Sequence, residues 1–293
     1  MSDIAIIGSG IAGLFSALKL ANAGHEVTVI TKQRLKDSST NWAQGGIAGI
    51  LDKTDIGAKE SHIEDTLTSG DGLCNESMVR EVIEGAAECI FELVNIGVQF
   101  EKNQQGDFKL AKEGGHTERR ILHAKDATGR EIERALSEAA KNHNNITLMR
   151  NTLAIDLVQR DYGNPEKGVC GVWGLDQQST EVITVKADSV IIATGGVGQL
   201  WSKTTNPGVA TGDGVAMAYR CGAAVKDMAF IQFHPTALTV KNDRPYLITE
   251  ALRGEGGVIL DKQGLAKWED DCQTAIKQGK EAPSPSNYSF TLE

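Results

Sequence analysis

The chain has 293 residues, 40% hydrophobic and 24% charged, which suits one large domain or two smaller ones with a substantial core. A net charge of -9 with no offsetting basic block argues against nucleic acid or an anionic membrane as the main partner. No run is long and apolar enough for a membrane span, and the first expected strand starts at residue 3, so a cytoplasmic enzyme without signal or transit peptide is expected.

Residues 3–7, Asp-Ile-Ala-Ile-Ile, form the short apolar run of a buried parallel strand, and Ile11, Leu14, Phe15, Leu18 and Ala21 follow at helical spacing. Between them stand Gly8, Ser9, Gly10, Ile11, Ala12 and Gly13. In a strand-to-helix turn such glycines supply a tight bend, close backbone approach to a pyrophosphate, and close helix-on-strand packing, with the helix N-terminus facing the anion. Residues 24–30 read as helix stop and second strand, so the whole unit points to a dinucleotide. That strand ends Ile30-Thr31-Lys32, where an NAD site calls for an acidic residue on the ribose. Lys32 therefore disfavours NAD and suits a nearby phosphate or ribose, with a solvated surface lysine as the plain alternative.

Past residue 46 the chain turns helical. Val79, Val82, Ile83, Ala86, Ala87, Ile90, Phe91 and Val94 mark an amphipathic helix closed at Gly97. Thr128-Gly129-Arg130-Glu131 has the spacing of a capping box and opens a second helix that buries Ile132, Ala135, Leu136 and Ala139. Strands are expected at 146–148, 153–157, 169–173, 182–185 and 190–193, with turns at 162–165 and 176–179. The last strand runs into Thr194, Gly195 and Gly196, where glycine permits close approach of backbone to ligand. Thr211-Gly212-Asp213-Gly214 opens a further helix, and Asp213 either accepts from a ribose hydroxyl or caps that helix. The five cysteines, Cys74, Cys89, Cys170, Cys221 and Cys272, show no CxxC spacing; they read as reduced structural thiols, and no metal site is expected.

Taken in order, residues 8–13, Ser39-Thr40-Asn41-Trp42-Ala43-Gln44-Gly45-Gly46, residues 193–196, residues 211–214, Gln232-Phe233-His234-Pro235-Thr236 and Thr249-Glu250-Ala251-Leu252-Arg253-Gly254-Glu255-Gly256 carry a resemblance. From residue 3 to about 264 the chain resembles the fumarate reductase, succinate dehydrogenase and L-aspartate oxidase flavoprotein superfamily. The resemblance implies an α/β fold: a doubly wound, Rossmann-like FAD-binding domain over residues 1–225 with a β-rich part, and the start of an inserted α+β capping domain over 226–264. It implies FAD as cofactor, held by Gly8, Ser9, Gly10, Ile11, Ala12, Gly13, Lys32, Ser39, Thr40, Asn41, Trp42, Ala43, Gln44, Gly45, Gly46, Thr194, Gly195 and Asp213.

Two features choose a branch. Where succinate dehydrogenases carry a histidine that bonds covalently to the flavin, this chain has Ser39, which implies non-covalent FAD. Residues 113–129, beginning Glu113-Gly114-Gly115-His116, are similar to the L-aspartate oxidase version, in which the glutamate equivalent to Glu113 meets the substrate ammonium. An amino dicarboxylate differs from succinate by one cation, which a carboxylate discriminates. The implied function is FAD-dependent oxidation of L-aspartate to iminoaspartate, the first step of de novo NAD biosynthesis, by hydride transfer from C2 to the flavin N5. Oxygen or fumarate is the implied electron acceptor, and a homo-oligomer stays open. By resemblance His234, Thr249 and Glu250 belong to the substrate pocket; Arg253 joins them on charge alone. For His234 a satisfied core histidine is the bland alternative. His116, Arg119, Arg120 and His123 either line the same cleft or form a solvated face.

Residues 265–293 match nothing in the family pattern, which continues with an arginine that transfers protons and a segment that closes over the flavin. The expectation is a truncated relative with little or no turnover, and with apolar surface or a sheet edge left uncovered. A soluble fumarate reductase, or a non-catalytic flavin-binding or dimerising subunit, are the alternatives.

Overall fold

The computed structural model describes residues 2–125, 127–234, 236–239, 245–249, 252 and 257–288. Strand β1 (Ser2–Ile7) occupies the middle of a six-stranded sheet, and its side chains alternate between two cores: Ile6 joins one, Ala5 and Ile7 the other. The sheet runs β6 (Ile146–Met149), β2 (Val27–Ile30), β1, β9 (Val182–Ile192), β8 (Val169–Asp176), β7 (Thr152–Gln159). The first four of these are parallel, whereas β9, β8 and β7 form an antiparallel meander. This is the expected α/β architecture with its β-rich part.

The first core packs Ile6, Val27 and Val29 against three helices. These are α1 (Ile11–Asn22), contributing Leu14 and Leu18; α4 (Glu76–Ile96), contributing Ile90 and Leu93; and α5 (Thr128–Lys141), contributing Ile132 and Leu136. Each fully buried side chain of this size adds about 1.5–3 kcal/mol, so the helical face is the main source of stability. On the other face, Ala154, Leu157 and Val172 of the meander join Met217 of α6 (Asp213–Arg220) over Ala5 and Ile7. Helix α4 ends as expected, at Gly97 with φ +112, its N–H donating to Val94 O.

Two local expectations are corrected. The runs at 182–185 and 190–193 are one continuous strand, β9. Its polar middle, Lys186, Asp188 and Ser189, is exposed, and it marks where the strand exchanges partners: residues 182–186 pair with β8, residues 187–192 with β1. The capping box at Thr128 is absent as well. Thr128 already lies inside α5, its Oγ1 accepts from Ala124 N at 3.0 Å, and Glu131 instead accepts from Gln99 N and pairs with Arg134.

Elsewhere, β3 (Ile47–Ala48), β5 (Ile121–Leu122) and β4 (Leu110–Ala111) make a small antiparallel sheet beside α3 (Ile56–Ser69). Strands β10 (Ala237–Leu238) and β11 (Tyr246–Leu247) pair with each other. Helix α7 (Lys262–Lys277) is capped by Asp261, and the chain folds back on it, with Trp268 Nε1 donating to Pro283 O and Tyr288 OH to Asp271. Among the described residues no helix is long and apolar enough to cross a membrane.

Several large apolar side chains in the stretch from residue 219 to 246 lie at the surface: Tyr219, Met228, Phe230, Phe233, Leu238 and Tyr246 are each about half exposed or more. Exposed apolar side chains of this size bind apolar dyes and promote association. The double variant Phe230→Ser, Phe233→Ser is expected to bind less anilinonaphthalene sulfonate and to scatter less light at equal concentration; unchanged dye binding refutes this assignment of the sticky surface.

Candidate functional site

The site grows from the C-terminal ends of parallel strands, where open α/β sheets hold ligands. At the end of β1 the chain turns through Gly8 with φ +114, where a Cβ would overlap the carbonyl of Ala193, the residue just after the adjacent β9. A Cβ on Gly13 would likewise overlap Gly8 O, so α1 sits directly on the turn. Above this crossing lies a cleft of about 500 Å³. Its walls are residues 8–12, residues 30–32 at the end of β2, residues 38–40, residues 152–154, residues 192–195, and the first turns of α6. The structure thus brings together Gly8, Ser9, Gly10, Ile11, Ala12, Lys32, Ser39, Thr40, Thr194, Gly195 and Asp213. Gly13 lies behind the wall.

Polar contacts brace the rim. Ser9 Oγ donates to Leu35 O at 3.1 Å and shares a 2.9 Å bond with Thr31 Oγ1, tying the glycine turn to the loop after β2. Thr40 Oγ1 accepts from Ile11 N at 2.9 Å, at the first turn of α1. Lys32 Nζ donates to Asp213 Oδ2 and to Thr211 Oγ1, each at 2.6 Å, and Thr211 Oγ1 donates to Asp213 Oδ1 at 2.7 Å. Lys32 is therefore no solvated surface lysine. Nor does Asp213 cap α6, whose cap is Gly212. Burial pulls the Asp213 carboxyl upward, but the Lys32 and Thr211 hydrogen bonds outweigh it and hold the group below the usual carboxylate range.

Helix α2 (Ser39–Trp42) follows, capped by Ser38, whose Oγ accepts from Asn41 N at 3.4 Å. Ser39, Trp42, Ala43 and Gln44 line a second, smaller cleft of about 170 Å³ together with residues 205–207 and 245–247. Gln44 Oε1 is buried there with no donor among the described residues. A buried acceptor left open in this way fits a ligand that carries an N–H.

Glu113 reaches the end of the same segment, accepting from Gly46 N through Oε1 at 3.0 Å and lying against Gly45. It lines neither cleft, and neither do His234 and Thr249. His234 Nδ1 accepts from Thr236 N at 3.2 Å, and Thr249 O accepts from Leu252 N. Glu250 and Arg253 lie outside the described residues.

The basic cluster follows neither sequence expectation. Arg120 is 1% exposed, with Nη1 donating to Asp65 at 2.8 Å and Nη2 to Ser61 at 3.0 Å. Beside it the His62 and His116 rings stand 5.4 Å apart, and burial, with Arg120 and His116 nearby, pushes His62 down to about 4. His123 faces Glu101 at 3.7 Å, whereas Arg119 is exposed.

Residues 152–154 also belong to the cleft and escaped the sequence reading, which had them only as strand. Ser38, three positions before Asn41 at the start of a short helix, carried a local signal as its cap.

A family model described as FAD binding domain matches residues 3–287, so the family pattern runs past residue 264, where the resemblance was expected to stop. L-aspartate oxidase 1 of Ralstonia nicotianae is 44% identical over 265 residues, covering 89% of this chain and 49% of that protein. The chloroplastic L-aspartate oxidase 2-a of Nicotiana tabacum is 46% identical, with 88% of this chain and 41% of the relative covered. The chain spans about half the length of the curated relatives it matches. Among solved structures, the E. coli quinol fumarate reductase flavoprotein aligns with 97% of this chain and 46% of its own at a TM-score of 0.82 and 29% identity. The Mycobacterium smegmatis Sdh1 complex aligns with 97% of this chain and 50% of its own at 0.79 and 28%.

Proposed function

The chain belongs to the FAD binding domain family, and on that premise we propose that it holds FAD non-covalently and serves the oxidation of L-aspartate to iminoaspartate, feeding NAD biosynthesis. The glycine turn and the first turn of α1 take the pyrophosphate, with Lys32 and Asp213 at the ribose end and Ser39, Thr40, Thr194 and Gly195 along the rest; residues 41–46 join them by the resemblance, although they do not line that cleft. The open Gln44 acceptor and the glycine crossing fit such a ligand. Ser39 offers no imidazole for a covalent bond.

When bound, the flavin supplies a hydride acceptor. The chain's own residues have to fix two carboxylates and one ammonium group so that the C2–H bond points the right way. We assign the ammonium to Glu113, and the substrate pocket to His234, Thr249, Glu250 and Arg253 on the expected start of a capping domain over 226–264. The observation that carries the aspartate reading is the Glu113 carboxylate seated on the Gly46 N–H at 3.0 Å, an anion at the end of the flavin segment. A succinate oxidiser has no use for that charge. The acceptor is oxygen or fumarate.

Loading the chain with FAD and adding substrate under nitrogen tests this. A single, slow bleaching of the flavin absorption band by aspartate and not by succinate is expected, in keeping with little or no turnover; the reverse preference supports the soluble fumarate reductase reading. Glu113→Gln is expected to weaken aspartate oxidation by roughly 10–100-fold, the worth of one charge-assisted hydrogen bond. At the other end, Asp213→Asn removes the charge that holds Lys32 and is expected to raise the FAD Kd about tenfold in a fluorescence titration.

A further inference from the structure

We propose that Glu133 is a positioning residue for the flavin: through Ser38 it fixes the cap of α2, and with it the orientation of residues 39–46. For its ligand the proposal rests on the FAD reading above; its geometry rests on α5. Gly129 and Glu133 lie four positions apart on α5, about one turn, and both meet the segment that holds α2. At the first point a Cβ on Gly129 would overlap Thr40 O, and Gly129 N donates to Ala43 O at 3.0 Å, so helix backbone touches helix backbone. At the second, Ser38 Oγ donates to Glu133 Oε2 at 3.2 Å while accepting from Asn41 N at 3.4 Å.

A hydroxyl has one hydrogen. Sending it to Glu133 leaves the Ser38 lone pairs for Asn41 N, which is the arrangement an N-cap requires. The other carboxylate oxygen, Oε1, accepts from Ser137 Oγ at 2.8 Å within α5, so the acid bridges its own helix to α2. Glu133 is 2% exposed, and burial pushes its carboxyl up to about 7. Burying an acid is unfavourable unless its oxygens are partnered, and the partners here are Ser137 on its own helix and Ser38 at the cap of α2. Thr40 carries the constraint onward, because its Oγ1 accepts from Ile11 N at the mouth of the dinucleotide cleft.

Hydrogen exchange on the whole chain, resolved by peptide, tests the proposal without needing turnover. Glu133→Gln and Ser38→Ala are each expected to speed exchange in residues 38–46 about tenfold while β1 and β9 keep their protection. The double variant is expected to exchange no faster than Ser38→Ala alone, since the two residues act as one unit. Ser137→Ala removes the other partner of Glu133 without touching α2 and is expected to leave 38–46 unchanged. In FAD titrations, Glu133→Gln raises the apparent Kd about tenfold and Ser137→Ala does not. Wild-type exchange in Glu133→Gln, or an equal rise in Ser137→Ala, overturns the proposal. A wild-type chain that shows the expected exchange pattern but takes up no FAD removes the flavin reading instead, and with it the flavin as the purpose of the bridge.

Discussion

Replacing Glu133 with glutamine tilts the pH profile of stability from nearly flat to rising between pH 4.5 and 6.5. Two buried groups oppose each other in that window. Burial raises Glu133 from the ordinary 4.5 to about 7, and mainly burial lowers His62 from 6.5 to about 4. Between 4.5 and 7 the folded chain keeps a proton on Glu133 that the unfolded chain has released, so this group's stabilisation is complete below 4.5 and is lost as pH rises through 7. His62 runs the other way: between 4 and 6.5 the unfolded chain binds the extra proton, so stability is complete above 6.5 and is lost as pH falls. Each slope is about 1.4 kcal/mol per pH unit, and over the shared window they cancel. Glu133→Gln removes one arm, leaving stability to climb by about 3 kcal/mol between pH 4 and 6.5. His62→Gln leaves the other arm, a fall of about 3 kcal/mol between 4.5 and 7. Asp37, Asp52, Asp65, Glu131 and Asp213 are all held below the usual carboxylate range and act at lower pH. Urea melts across this range decide the matter, and a Glu133→Gln profile parallel to wild type disproves the opposing pair.

The largest single loss is expected at Arg120. Its guanidinium is 1% exposed and meets an Asp65 carboxylate that is 12% exposed, and Thr117 N and Oγ1 are the further donors to that acid. Burial pulls the Asp65 carboxyl upward, but the Thr117 and Arg120 hydrogen bonds hold it below its usual range. Arg120→Met strands that charge and is expected to lower stability by about 3–5 kcal/mol. Adding Asp65→Leu removes the stranded partner and restores most of the loss, because an apolar pair of similar volume replaces a buried ion pair well. Arg120 N donates to Ala111 O and its own carbonyl accepts from Gly49 N, so it closes the loop that carries Glu113. Thermal melts of the single and double variants supply the check; a double variant no more stable than Arg120→Met rules out the stranded charge as the cause.

The β1–α1–β2 unit was legible because everything that defines it is local: apolar runs of strand length, helical spacing, and glycines between them. The cleft was legible on one side for the same reason. What escaped the sequence depended on distance along the chain. Lys32 and Asp213 stand 181 positions apart, and nothing near either announces the other. Glu133 sits in a helix rich in Glu and Arg, where another acid reads as surface, and only the fold reveals that it faces inward. The unity of β9 was hidden because its polar middle looks like a break, when it is the place where one partner is exchanged for another.

That exchange makes β9 a stiff rod shared by two machines. One end is gripped by the meander, where Val182–Lys186 pair with β8, and the other delivers Thr194 and Gly195 to the lip of the larger cleft. A strand advances about 3.3 Å per residue, so a one-residue slip against β8 would drag the lip by about that distance and turn every side chain of the rod to the opposite face. The hairpin of β7 and β8 thus fixes the cleft twice, directly through Thr152, Leu153 and Ala154 in its wall and at a distance through its pairing with β9.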